Sequence, residues 1–216
     1  MRAVVVYASQ TGFTRRYAEW IAEELGGEAV PVERADGIDA GSYDAVVFGG
    51  WLHAGGLVGK KWLARARAAH PRTPFVAFAV GATPPEWADM VDEAMAREFP
   101  SPELDGVERF YLRGGFAYER LSLPNKLAMK MFFKMQEKQA ATDPRAAEML
   151  SGMRGGFDGT DRAAIAPVVA RAVSYTHLSR LGAGHAVRAL HHAGGPLDSL
   201  RPSGAYRRQD ALGRLP

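Results

Sequence analysis

MRAVVVYASQTGFT, residues 1–14, decides how the chain is read. The apolar run from Ala3 to Tyr7 stops at a cluster of small hydroxyl residues and glycine, after which apolar residues return at helical spacing (Ala18, Ile21, Ala22, Leu25). A short continuous apolar run predicts a strand buried on both faces, and the periodic segment predicts a helix. The turn between them, Ser9, Gln10, Thr11, Gly12, Phe13 and Thr14, brings three hydroxyls and a glycine to a helix N-terminus. Unpaired backbone N–H groups and the positive end of the helix dipole meet there, so the turn is suited to a phosphate.

Working outward, strands are expected over 2–7, 29–33, 44–50, 74–80 and 107–112. Helices are expected over 14–25, 57–69, from Pro84 to about Phe99, and over 124–139, with another starting at Asp143. Thr160 or Asp161 is expected to cap a last helix, which Pro167 would kink. Pro31 assigns the second strand to a sheet edge. Strands alternating with helices give an α/β fold, a parallel sheet covered on both faces. The five strands fit the doubly wound order 2-1-3-4-5, whose ligand crevice lies at the carboxyl ends of the strands.

Composition narrows the classes. The 216 residues are 47% apolar and 24% charged, with no cysteine, so disulfides, thiol catalysis and thiolate metal sites are excluded. Residues 1–7 are too short for a signal-peptide core, and no uncharged apolar stretch approaches the roughly 20 residues that span a bilayer. A cytoplasmic protein is expected. The net charge of +3 is unevenly spread: residues 173–216 carry six Arg and two Asp, leaving 21 basic and 22 acidic residues over 1–172.

The segment 173–216 holds four of the six histidines, is rich in Gly, Ser, Pro and Arg, and lacks a sustained period. That composition reads as poorly ordered. A basic tail for nucleic acid or membrane is one reading of it. We favour another: Val173-Ser174-Tyr175-Thr176-His177-Leu178 matches one reading frame of a transposon-end sequencing adapter, GTC TCT TAT ACA CAT CT. On this expectation residues 1–172 form the domain and 173–216 are an extension of foreign origin.

Three loops fall at the carboxyl edge of the expected sheet: residues 9–14, 49–56 and 80–83, all rich in Gly, Ala, Ser or Thr. Small residues let backbone approach a flat ligand, and hydroxyl and N–H dipoles satisfy a phosphate without buried cationic charge. Gly56-Leu57-Val58-Gly59-Lys60 lacks P-loop spacing, and no G-x-G-x-x-G follows a strand. A mononucleotide is what remains.

YASQTGFT, YDAVVFGGWLHAGG and RGGFAYERLSLPNKLAMK, in that order, resemble the flavodoxin superfamily, most of all the branch that includes bacterial menaquinone-dependent protoporphyrinogen oxidase. The resemblance covers residues 1–172 and implies a flavodoxin-like three-layer sandwich and FMN as cofactor. It implies that Ser9, Gln10, Thr11, Gly12, Phe13 and Thr14 hold the phosphate. Gly50, Trp51, Leu52, His53, Ala54 and Gly55 would flank the isoalloxazine, with Val80, Gly81 and Ala82 closing its other side. It further implies an oxidoreductase, with a quinone acceptor and a porphyrinogen as substrate. Two departures bear on that activity. Trp51-Leu52-His53 stands where the branch commonly has Ser-Ile-Tyr, and the stretch after the fourth strand is short and acidic (Glu86, Asp89, Asp92, Glu93) rather than long and basic. Trp51 offers a face on which a flat ring can stack.

Since a flavin carries its own chemistry, no catalytic side chain and no metal ligand is assigned. An electron-transfer protein without its own substrate is the alternative, though such carriers are usually strongly acidic. A cofactor-free interaction domain comes third. No nucleic-acid partner is expected. Lys126, Lys130, Lys134 and Lys138 form a cationic stripe on the 124–139 helix. The favoured reading is a solvated lysine face opposite Met and Phe residues in the core. The other is peripheral contact with anionic lipid at the inner face of the membrane. Trp20 and Trp62 are expected in the core, and Trp87 beside the third loop.

Overall fold

The computed structural model describes residues 1–53, 56–99, 104 and 106–182, with side chains described up to residue 175 except at 53. The chain divides into two compact units, Met1–His177 and Leu178–Pro216. Of the second, only 178–182 are described, as helix.

β1 (Ala3–Tyr7) is buried along its whole length, as its unbroken apolar run requires. It is followed by α1 (Phe13–Leu25) and β2 (Glu28–Pro31). Further on come β3 (Ala45–His53), β4 (Gly56–Leu57), α2 (Lys60–Ala69), β5 (Phe75–Gly81), α3 (Ala88–Glu98) and β6 (Glu108–Arg113). β2, β1, β3, β5 and β6 lie side by side in that order, all parallel. This is the expected 2-1-3-4-5 sheet of a flavodoxin-like α/β fold, and Pro31 sits on its edge strand, where a missing N–H is harmless. One face packs Val5, Val47, Phe78 and Leu112 against α1 and the last helix. The other packs Val4, Val6, Phe48 and Ala77 against α2. Trp62 is buried there, stacked on Phe48, while Trp20 is only partly buried against Tyr17.

Some elements differ from expectation. β3 continues three residues beyond Gly50 and folds back on β4 as an antiparallel hairpin, pairing Leu52 with Leu57. Leu57 therefore belongs to a strand, and α2 starts only after Gly59, whose φ of 87° closes the turn. Pro84 and Pro85 do not open α3; a turn bonded from Trp87 N–H to the Pro84 carbonyl intervenes. A second small sheet escaped the sequence reading: β7 (Gly115–Phe116) pairs antiparallel with β8 (Phe157–Asp158). Two residues per strand leave too little pattern to detect.

α4 (Leu123–Ala140) and α5 (Pro144–Gly155) form a helical hairpin between those two strands. α4 overturns the expectation that its large apolar residues are core, since none of its residues is buried. Met129, Phe132 and Phe133 are half-buried on the inner side, whereas Leu123, Leu127, Met131 and Met135 are exposed on the opposite side. Apolar residues on both sides of one helix cannot all face one sheet. Asp161 caps a 3-10 turn (Arg162–Ile165) by accepting from the Ala163 N–H. α6 (Ala166–Gly182) follows, with Pro167 in its first turn, where no backbone hydrogen bond is lost and no kink results. α6 runs across the boundary drawn at Ala172, and Val173 and Tyr175 pack against the core beside Val168 and Ala172.

Candidate functional site

The carboxyl ends of β1, β3 and β5 are neighbours in the sheet, which brings the three glycine-rich loops to one edge. At the first loop, Gly12 takes a φ of 98°, a left-handed turn that only glycine adopts cheaply. That turn starts α1 with no side-chain cap and no acidic residue in the first turn. The Ser9 hydroxyl accepts from Gly12 N–H at 3.2 Å and so curls the loop. Thr14, 2% exposed, follows in the first turn of the helix. An uncapped helix N-terminus leaves its first N–H groups without an intrahelical acceptor. Ser9, Gln10, Thr11 and Gly12 line a cavity of about 330 Å³ together with Tyr7, Arg15, Pro31 and Glu33. These residues fit a phosphate on this edge.

The second loop is the β3–β4 hairpin. Gly50 is buried, and a Cβ on it would lie 2.6 Å from the Val58 carbonyl oxygen, so the hairpin closes only over a glycine. Trp51 is half-buried and paired with Val80 of β5. Leu52 packs onto the α2-side core. His53 pairs with Gly56 through backbone, while Ala54 and Gly55 lie outside the described residues. Where α2 begins, the chain packs close to the end of β1: a Cβ on Gly59 would lie 3.0 Å from the Ala8 Cβ.

Glu98, at the end of α3, holds this hairpin and was not singled out from sequence. It is 4% exposed and accepts from Leu57 N–H at 2.8 Å, Arg97 Nε at 2.9 Å and Lys60 Nζ at 3.4 Å. Burial alone raises its pKa, but those donors outweigh burial and leave the carboxyl below the usual range. A lone Glu in an amphipathic helix reads as solvated. Its burial follows from the hairpin, itself invisible in the sequence.

In the third loop the Val80 side chain is buried in the core, Gly81 carbonyl accepts from Gly114 N–H at 2.8 Å, and Ala82 opens onto a second cavity. That cavity, about 320 Å³, is walled by Trp87, Met149, Met153 and Phe157, with Arg113 and the acidic residues Glu148 and Asp158 beside them. The Arg113 guanidinium carbon lies 5.6 Å from the Phe157 ring centroid, and its buried Nε has no hydrogen-bond partner among the described residues. Trp87 thus borders the third loop as expected. Arg113 went unnoticed because an Arg at a strand end carries no signal.

The third quoted segment, RGGFAYERLSLPNKLAMK, reaches the first loop. Arg120 Nη1 donates to the Thr11 carbonyl at 3.2 Å, and Gln10 bonds both Ser122 Oγ at 3.1 Å and Asn125 Nδ2 at 2.8 Å. A guanidinium therefore stands beside a loop that the sequence suggested worked through dipoles alone.

A doubly wound parallel sheet whose first strand ends in a glycine turn at a helix N-terminus is the architecture of mononucleotide-binding α/β proteins. The chain belongs to the flavodoxin domain family, which matches residues 4–143. Membership points to FMN as the cofactor, and the residues of the first loop suit its phosphate. Among solved structures, the chain is similar to a Lactobacillus acidophilus flavoprotein in complex with FMN (17% identity over 52% of this chain and 92% of that one, TM-score 0.38). It is also similar to a flavodoxin from the domain Archaea (16%, 71% and 95%, TM-score 0.37) and to two-electron reduced Megasphaera elsdenii flavodoxin (18%, 51% and 84%, TM-score 0.37). No curated protein matches the chain. Among the described residues, no helix is long and apolar enough to cross a membrane.

Proposed function

We propose that the chain is an FMN-dependent oxidoreductase with a substrate of its own, a flat and largely apolar molecule bearing acidic or carbonyl oxygens, of porphyrinogen or quinone type. The uncapped start of α1, turned at Gly12 and opening onto the cavity lined by Ser9, Gln10 and Thr11, carries the FMN half of this reading. Ser9, Thr11, Thr14 and the first-turn N–H groups take the phosphate, and Arg120 adds positive charge at the loop. Gly50, Trp51, Leu52, His53, Ala54 and Gly55 flank the ring on one side, and the backbone of Val80, Gly81 and Ala82 on the other. When bound, FMN supplies the hydride or electron chemistry, and the protein supplies orientation and local charge.

The second cavity supports a bound substrate over pure electron transfer. Trp87, Met149, Met153 and Phe157 offer apolar contact, and Arg113, whose buried Nε has no hydrogen-bond partner among the described residues, offers a guanidinium to an oxygen on a wall shared with Glu148 and Asp158. A carrier needs no such chamber. The near-neutral charge of residues 1–172 also lacks the acidic field that suits a carrier.

The visible absorption spectrum of the purified chain, before and after incubation with FMN, tests the cofactor. A protein that stays colourless refutes it. Anaerobic oxidation of protoporphyrinogen with a soluble quinone then tests the enzyme, and Arg113→Gln should raise KM while leaving FMN affinity unchanged. A yellow protein that oxidises no such substrate leaves the electron-transfer reading.

A further inference from the structure

We propose that α4 docks on the surface of an anionic lipid bilayer. Leu123 is 83% exposed, Leu127 65%, Met131 71% and Met135 60%, four large apolar side chains spaced four apart along one side of an 18-residue helix. Residues spaced by four form one ridge, so these exposures make one continuous strip rather than scattered surface apolars. Continuous strips of that kind mark interaction surfaces. The inner side of α4 is already engaged: Phe133 meets Phe116 and Tyr118, and Glu137 pairs with Arg154 of α5. The strip is what the fold leaves over.

Charge selects the occupant. Lys130, Lys134 and Lys138 run beside the strip, each exposed and without an ion pair among the described residues, while Lys126 is half-buried against Glu119 and Tyr118. Glu137, the one acidic residue of α4, is neutralised by Arg154. An apolar strip bordered by free lysines is the pattern of a helix lying in an interface, its apolar side chains in the acyl boundary and its ammonium groups at anionic headgroups. The strip is a convex ridge of flexible Leu and Met side chains. A fluid bilayer accepts such a ridge, whereas a protein partner would need a matching groove.

The consequence depends on the FMN reading. Because Gln10 bonds Ser122 and Asn125 at the start of α4, a docked α4 carries the phosphate loop to the membrane surface, within reach of an acceptor dissolved in lipid.

Co-sedimentation of the full chain with vesicles tests the docking and needs no flavin; FMN uptake, read separately from the absorption spectrum, tells its failure apart from failure of the cofactor reading. The chain should pellet with phosphatidylglycerol–phosphatidylcholine vesicles, much less with phosphatidylcholine alone, and less at raised salt. Met131→Gln with Met135→Gln should abolish pelleting. Lys130→Gln, Lys134→Gln and Lys138→Gln should each lower binding roughly fivefold. All five positions are exposed, so thermal melting should not change. Absence of pelleting, equal binding by the variants, or a dimer in light scattering that the two Met substitutions dissociate would each overturn the proposal.

Discussion

Asn125 Nδ2 donates to Gln10 Oε1 at 2.8 Å, joining the first turn of α4 to the loop after β1 across 115 residues of sequence. Gln10 returns the contact by donating to Ser122 Oγ. One amide thus engages two residues of the α4 start, and the loop is fixed before any ligand arrives. Pre-organised donors bind more tightly because less ordering entropy is lost on binding. Asn125→Ala removes the stronger of the two bonds. Titration of the apoprotein with FMN, followed by quenching of flavin fluorescence, should show affinity reduced roughly three- to tenfold, the worth of one hydrogen bond. Unchanged affinity would mean that the loop needs no tether.

Thr11→Val combined with Thr14→Val tests the phosphate assignment directly. Valine keeps the branched shape, so the fold of α1 should persist. FMN binding should weaken by about 1–3 kcal/mol for each phosphate contact left unmet. Riboflavin, which lacks the phosphate, should bind wild type and variant alike.

How much of this was legible in advance depends on where each signal resides. Residues 3–7 and 75–80 announced buried strands, and Gly12 announced the turn that starts α1, because each is carried by a continuous local pattern. The β3–β4 hairpin was not legible: Trp51 and Leu52 prolong an apolar strand past the glycines, and its partner strand is two residues long. Glu98 and Arg113 owe their roles to distant neighbours, Leu57 in one case and Phe157 in the other. The outer face of α4 failed for another reason. Composition reports how many apolar residues a helix has, and only the packing of its inner side shows which remain uncovered.

Glu98 makes the hairpin sensitive to acid. Its pKa is lower in the folded protein than in the unfolded chain, so its contribution is fully present above the ordinary glutamate value, about 4.3, and is lost as pH falls below that value through the native one. Glu98→Gln keeps the size but gives up charge-assisted acceptance from Leu57, Arg97 and Lys60. Stability at neutral pH should fall by about 1–3 kcal/mol. The loss of wild-type stability between roughly pH 5 and pH 3 should be shallower in the variant. Urea denaturation at a series of pH values checks both. Parallel pH curves would show that Glu98 does not govern the acid response.

Two glycine-to-alanine substitutions should act in opposite directions. A Cβ on Gly115 would lie 2.3 Å from the Phe157 carbonyl oxygen and 2.6 Å from Phe13 Cζ. The first is backbone held in the β7–β8 pair, and Phe13 is the buried first residue of α1. Neither can move without shifting the phosphate loop or opening the small sheet. Gly115→Ala should cost about 1–3 kcal/mol, lower Tm by roughly 3–9 °C for a chain of this size, and weaken FMN binding as well. Gly152 lies inside α5, and a Cβ on it would meet nothing within 4 Å. There alanine only restricts the unfolded chain, so Gly152→Ala should stabilise by about 0.5–1 kcal/mol. Calorimetry on both variants decides: a neutral Gly115→Ala would show that β7 and β8 separate without strain, and that Phe13 does not depend on them for its place at the start of α1.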